Sequence, residues 1–242
     1  MAGLLKKLTT VFLLLLILTA KAVDFLGIPC QTDQLISRQN LVIGYSHKYR
    51  QALWVAYQLN ANNLRSKQVR RRDKFMVDPL VKVKPIRPKD YNRSGYDKGH
   101  LAPAADMTYS WETMRNSFFM TNISPQIPGC NRGIWKRIEN QVRQWALQEE
   151  TLIVITGPIF PAKPKLMGKA KIPVPEAFFK IVLDTTAPMK MIAFIVPNKT
   201  SKRRIASFAV SVDKVEELTG FDFFYDLDSE LEEFLESNSA IW

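Results

Sequence analysis

The stretch YDKGHLAPAADM, Tyr96 to Met107, contains His100, one of only two histidines in the chain. An imidazole with an ordinary pKa of about 6.5 can take up and return protons near neutrality. In an extended segment, residues two apart share a face. The ammonium of Lys98 and the ring of His100 would then confront one ligand together, while Asp97 and Gly99 turn away. A base beside a fixed cation suits a phosphate ester; a hydrogen-bonded core histidine is the plainer alternative. Downstream, FFMTNISPQIPGCNRGIWKRIEN puts Asn122 at the end of an expected strand and Asn131 at the start of the longest expected helix. Glu139 follows Asn131 by eight residues, about two helical turns and roughly 80° around the axis. An amide oxygen and a carboxylate so placed could hold a hydrated Mg²⁺, a hard cation that keeps several waters. Each residue also has an ordinary use: Asn122 closing a turn, Asn131 capping the helix, Glu139 on a solvated face.

Other chemistries find less support. Zinc sites need three or four His, Cys or carboxylate ligands, and Cys30, His47, His100 and Cys130 have no zinc-like spacing. No Gly-x-Ser-x-Gly elbow is present to carry a nucleophilic serine. The formal charge is +11, and RSKQVRRRDK, residues 65–74, packs six Lys or Arg into ten positions. A chain this basic is drawn to nucleic acid, anionic polysaccharide or an acidic membrane surface, although surplus lysine can also serve solubility alone.

The first 22 residues read as a secretory signal peptide: a lysine pair, the uncharged run VFLLLLILTA, and Ala20-Lys21-Ala22 as a small-x-small cleavage site. Cleavage after Ala22 starts the mature protein at Val23 and removes Lys6, Lys7 and Lys21, leaving +8. An uncleaved anchor is the alternative, but the run from Leu8 to Ala20 is shorter than the roughly 20 residues of a spanning helix. The expected destination is the periplasm or the medium, with no stable membrane association after cleavage. In an oxidising compartment, the only two cysteines, Cys30 and Cys130, are expected to form one disulfide.

The elements that must position these residues can be read coarsely. NLVIGYS and ALWVAYQLN are two expected strands around the turn HKYRQ, and Leu53, Val55, Tyr57 and Leu59 alternate to bury one face of the second. Pro79, Pro85 and Pro88 keep the next region from being helical. Ser110 caps a short helix, WETMRNS, and FFMTNIS is an expected buried strand. The long helix, NRGIWKRIENQVRQWALQEE, carries Ile134, Ile138, Val142, Trp145 and Ala146 as one apolar stripe. TLIVIT is a strand ended by Gly157-Pro158, and a Pro- and Lys-rich loop leads to the strands FFKIVL and MIAFIVP. Asp213 and Glu216 give a capping-box-like helix start and Gly220 its stop. The acidic tail DLDSELEEFLE is a short amphipathic helix or a frayed end. This mix implies an α+β fold with a largely antiparallel central sheet flanked by helices, in a single domain spanning 23–242.

The motifs SGYDKGHLAPAADM, TNISPQIPGCNRGIWKRIEN, VITGPIF, IPVPEAFFKIVL and ELTGFDFF occur in an order that resembles the DNA/RNA non-specific endonucleases. Secreted bacterial nucleases and mitochondrial endonuclease G are members of that family, and the similarity runs from about Leu41 to Tyr225. The resemblance implies a ββα-metal finger carrying the active site. In it His100 is the general base, Asn131 the sole direct protein ligand of Mg²⁺ (with Mn²⁺ as a substitute), and Glu139 an acidic residue acting through metal-bound water. By the same resemblance Asn122 lies near the catalytic histidine, and Lys98 stands where the family's Asp-Arg-Gly-His has arginine. Arg143 is a phosphate-side arginine, and Arg72 is chosen from VRRRDKF as the upstream one. Lysine at 98 keeps the charge but loses the planar fork of arginine. The implied activity is sequence-non-specific hydrolysis of DNA and RNA to 5′-phosphate products, with a homodimer allowed. A secreted basic nucleic-acid- or polyanion-binding protein without catalysis is the rival reading; it leaves the spacing of His100, Asn131 and Glu139 without a purpose.

Overall fold

In the computed structural model residues 27–238 are described, so the expected signal peptide of residues 1–22 lies outside the described residues. The chain runs β1 (Gln34–Arg38), β2 (Leu41–Ser46), β3 (Gln51–Asn60), α1 (Ala61–Ser66), β4 (Asp97–His100) and α2 (Trp111–Ser117). It continues through β5 (Ile123–Gln126), α3 (Lys136–Glu149), β6 (Thr151–Ile159), β7 (Leu166–Met167), β8 (Ile172–Pro173), β9 (Ala177–Asp184) and β10 (Lys190–Pro197). It ends with β11 (Ala209–Val210), α4 (Val212–Thr219) and α5 (Ser229–Ser237). Seven strands form one sheet in the order β1-β2-β3-β6-β9-β10-β11, every neighbouring pair antiparallel. The fold is α+β, as expected.

Both faces of this sheet are covered. Val55, Tyr57 and Leu59 of β3 join Val154, Phe178, Val182 and Phe194 in a core sealed by the α3 stripe of Ile138, Val142, Trp145 and Ala146. The alternate residues Trp54 and Ala56 of β3, with Ile155, Phe179, Ile181 and Ala193, face Val212 and Val215 of α4 and Leu235 of α5. The alternation read in β3 holds for Val55, Tyr57 and Leu59 but not for Leu53, which packs on the other face beyond a register shift. Both faces are buried because helices cap the sheet on both sides. Strand β6 does not stop at Gly157-Pro158 but pairs through Ile159 with Ala177. Glycine is required at 157 because a Cβ there would overlap the Leu53 carbonyl.

Three further expectations are corrected, and of the two alternatives for the acidic tail the helix is the one formed. FFMTNIS is not one strand: Met120–Asn122 form a 3₁₀ turn and β5 begins at Ile123. The N-cap of α4 is Ser211, whose side chain accepts from Lys214 N, rather than the Asp213–Glu216 pair; Gly220 ends the helix as expected, at φ 68°. The acidic tail forms α5, capped by Asp228. Finally, Cys30 and Cys130 are free thiols. Cys130 belongs to the core on the α3 face and Cys30 packs on the opposite one. With the sheet between them, the sulfurs cannot meet.

The short strands β4 and β5 form a separate antiparallel pair in which Lys98 lies opposite Pro125 and His100 opposite Ile123. A π-type segment, Cys130–Trp135, leads into α3, with a break in helical geometry at Gly133 (φ −104°, ψ −108°). This two-strand, one-helix unit places His100 and Asn131 on neighbouring elements.

Candidate active site

The side chains of β4 and of the helical segment meet at a cleft of about 610 Å³. His100, at the end of β4, is buried. Its ring meets Phe118 edge-on at 4.9 Å and Phe75 at 5.4 Å between centroids. Its Nε2 has no hydrogen-bond partner among the described residues. Burial, and next the nearby charge of Arg71, push the imidazole pKa down to about 3, with Asp73 opposing. The ring is therefore neutral at pH 7, with one of its two nitrogens carrying a lone pair. Its main chain is fixed as well: Trp135 Nε1 donates to the His100 carbonyl at 3.3 Å. Between Lys98 and His100, Gly99 leaves room for the Gln126 side chain, which any Cβ would strike.

Asp97 does not turn away from this cleft. Its Oδ2 accepts from Asn131 Nδ2 at 2.9 Å and from Arg132 Nε at 2.8 Å, and its Oδ1 accepts from Arg132 Nη2 at 2.6 Å. Partial burial alone would raise the Asp97 pKa, but the bonds from Arg132 and Asn131 outweigh it and hold the carboxyl below its usual range. Because Asn131 commits its amide nitrogen to Asp97, its Oδ1 remains the atom available to a ligand. Glu139, half-buried one helical stretch later, lines the same cleft and makes no hydrogen bond among the described residues. Burial raises its pKa; Lys180 opposes that rise and Asp106 adds to it. An amide oxygen and an unpaired carboxylate bordering one cleft are the hard donors that Mg²⁺ takes, so the residues present fit that ion.

Beneath the cleft lies a buried charge network. Asp106 accepts from Arg143 Nη1 at 2.6 Å on one oxygen and from the Tyr57 hydroxyl at 3.0 Å on the other. Burial lifts the Asp106 pKa, with Arg143 opposing first. Lys180 of β9 is 1% exposed. Its ammonium stands 4.9 Å over the Trp135 ring, without a hydrogen-bond partner. Burial lowers its pKa, and the charges of Glu139 and Asp106 work against that. Lys180 and Arg143 thus offset Asp106 and Glu139 at the floor of the cleft, fixing Arg143 and shaping the field around Glu139.

His100, Lys98, Asn131 and Glu139, singled out by type and spacing, and Arg143, singled out by the resemblance, all line the cleft. Asn122 does not; it is fully buried and its amide is consumed by main chain. It accepts from Ala102 N and donates to Ala102 O and Ser117 O, each at 2.9 Å, pinning the chain just beyond His100. Arg72 is also elsewhere: its guanidinium lies 5.5 Å from the Trp111 ring centre, and Arg71 enters the cleft in its place. Asp106 and Lys180 escaped the sequence reading, which also turned Asp97 away from the ligand and chose Arg72 over Arg71 within VRRRDKF. A lone lysine inside the apolar strand FFKIVL is a signal that could have found Lys180.

The sequence profile of the DNA/RNA non-specific endonucleases matches residues 24–230. Among characterised relatives, a nuclease of Nostoc sp. is 33% identical over 216 residues, spanning 85% of this chain and 78% of its own. Human mitochondrial endonuclease G is 31% identical over 205 residues, spanning 78% and 69% respectively. A chain in the crystal structure of an EndoG/EndoGI complex superposes with a TM-score of 0.77 at 26% identity, covering 85% of this chain and 91% of that one. Fold, cleft and sequence agree: this chain is a member of the DNA/RNA non-specific endonuclease family.

Proposed function

We propose that this protein is a secreted, Mg²⁺-dependent endonuclease that cuts DNA and RNA without regard to sequence, using His100 as general base. The observation that carries the reading is that a buried neutral imidazole and the Asp97-held amide of Asn131 border one cleft. Five cations, Arg71, Lys98, Arg132, Lys136 and Arg143, line that cleft against three carboxylates, Asp73, Asp97 and Glu139, a balance suited to backbone phosphate. Asn131 directly, and Glu139 through water, would hold Mg²⁺, which when bound neutralises charge developing on phosphate and leaving oxygen.

Arg71, Lys98 and Arg143 orient the phosphodiester. The arriving phosphate brings negative charge close to His100 and raises its depressed pKa toward the range where proton transfer is effective. The ring removes a proton from water as the water oxygen bonds to phosphorus and the P–O3′ bond breaks. The products are a 5′-phosphate and a 3′-hydroxyl, the departing oxygen taking a proton from solvent. Cations that grip phosphate rather than base edges read no sequence. Secretion rests on the lysine pair, apolar run and Ala-Lys-Ala ending of the first 22 residues.

Plasmid digestion with Mg²⁺, with and without excess chelator, tests the reading. The wild-type protein should nick and then fragment plasmid, and chelator should stop it. His100→Ala should cut about 10²–10⁴-fold more slowly while still retarding DNA in a gel. Undiminished cutting in chelator would remove the metal from the mechanism. A protein that retards plasmid but never cuts it would establish the rival binding role.

A further inference from the structure

Successive side chains of residues 71–76 turn to opposite sides of their segment. Arg71, Asp73 and Phe75 line the His100 cleft, whereas Arg72, Lys74 and Met76 line a second hollow of about 390 Å³. The segment is tied in place by Met76 N donating to Phe118 O at 3.0 Å and Met120 N donating to Met76 O at 2.8 Å. One ring separates the two spaces: Phe118 lines the second hollow and meets the His100 imidazole at 4.9 Å.

The second hollow has a composition of its own. Trp111 and Met114 of α2 give it an apolar wall, and Arg72, Lys74 and Arg115 rim it without any carboxylate. Trp111 is 56% exposed, an unusual cost for an indole that serves only packing. Its ring already attracts a planar cation, the Arg72 guanidinium at 5.5 Å. An exposed aromatic face surrounded by cations is the surface on which an unpaired base stacks while its phosphate is neutralised.

We infer that this hollow is a subsite for one unpaired base of the substrate strand, stacked on Trp111 with its flanking phosphate on Arg72, Lys74 and Arg115. The inference rests on the nuclease reading above and adds a substrate preference to it. A base inside a duplex is already paired and stacked, so it cannot occupy the hollow without being extruded. Single strands, loops and frayed ends bind here at no such cost, and Arg72 acquires a role that its absence from the His100 cleft had left open.

The test uses binding and turnover separately. Among the described residues, Trp54, Trp135 and Trp145 are buried and Trp111 alone of the tryptophans is exposed; Trp242 lies outside them, so the part of a ligand's fluorescence quenching that is lost in Trp111→Ala reports on Trp111. Oligodeoxythymidylate added to His100→Ala protein in chelator should quench part of the fluorescence. Adding Trp111→Ala should weaken binding, followed by gel shift, about tenfold, and Trp111→Tyr should restore most of it. In otherwise wild-type protein, Trp111→Ala should raise KM for the oligonucleotide by a similar factor, hold kcat, and leave dinucleotide cleavage unchanged. Equal affinity with and without Trp111, or equal losses on oligonucleotide and dinucleotide, would overturn the subsite. If the wild-type protein cuts no nucleic acid at all, the catalytic reading fails, yet the quenching titration still decides whether a base binds.

Discussion

The Asp97 carboxylate holds Asn131 with one oxygen while Arg132 bonds to both, so it governs the direction in which the Asn131 amide presents its oxygen. Groups that orient a metal ligand in this way are worth about 10–100-fold in metal affinity. Asp97→Ala should therefore raise the Mg²⁺ concentration for half-maximal cleavage by about that factor, with much of kcat recovered at saturating metal. Asp97→Asn, which keeps an acceptor for Asn131, should lose less. An unchanged metal requirement in Asp97→Ala would mean that Asn131 needs no such support. Residue types and spacing made His100, Lys98, Asn131 and Glu139 candidates, whereas Arg143 was legible only through the family resemblance of the surrounding motifs. The three adjacent arginines of VRRRDKF are chemically equivalent, so only the path of the backbone separates Arg71 from Arg72. Asp97 was misplaced by strand periodicity, which does not hold at the first residue of a four-residue strand.

Helix α5 brings a like-charge cluster against α4. Glu236 is buried with an unpartnered Oε1, and ligand oxygens of Asp213, Glu216 and Glu236 all lie within 4.8 Å of one another. Burial first, then the charges of Glu216 and Glu232, push the Glu236 pKa up to about 8. The folded state thus binds this proton more tightly than the unfolded chain, whose glutamate titrates at about 4.3. Its contribution to stability is fully present below the unfolded value and is lost as pH rises through about 8. Glu236→Gln should raise Tm relative to wild type at about pH 9, by roughly 2–4 °C for each kcal/mol of repulsion relieved, and change little at about pH 4. Thermal melts at both pH values check this; an equal shift at both would assign the effect to packing. The stripe of α3 was legible because its apolar period is unambiguous, whereas β3 was legible as a strand but not in its faces, since both are buried. The continuation of β6 through Gly157-Pro158 was not, since a Gly-Pro pair ordinarily marks a turn and only the contact with the Leu53 carbonyl explains the glycine.

Over the whole molecule, Lys and Arg number 34 against 23 Asp and Glu, and the cleft repeats that excess with five cations facing three carboxylates. Binding to DNA should weaken steeply with salt, each neutralised phosphate contributing about −0.9 to the slope of log K against log salt. Arg71→Ala should reduce that slope by about 1, measured by titrating His100→Ala protein with duplex DNA at several ionic strengths; a flat dependence would place docking off the basic surface. The α+β class was visible in the strand and helix pattern, but the separation of the cysteines was not, because the intervening sheet appears in no local period. No helix among the described residues is long and apolar enough to cross a membrane. The free thiols, one on each side of that sheet, leave the architecture to packing alone. Reductant then has no covalent crosslink to sever, so the fold should hold equally well in reducing and in oxidising surroundings.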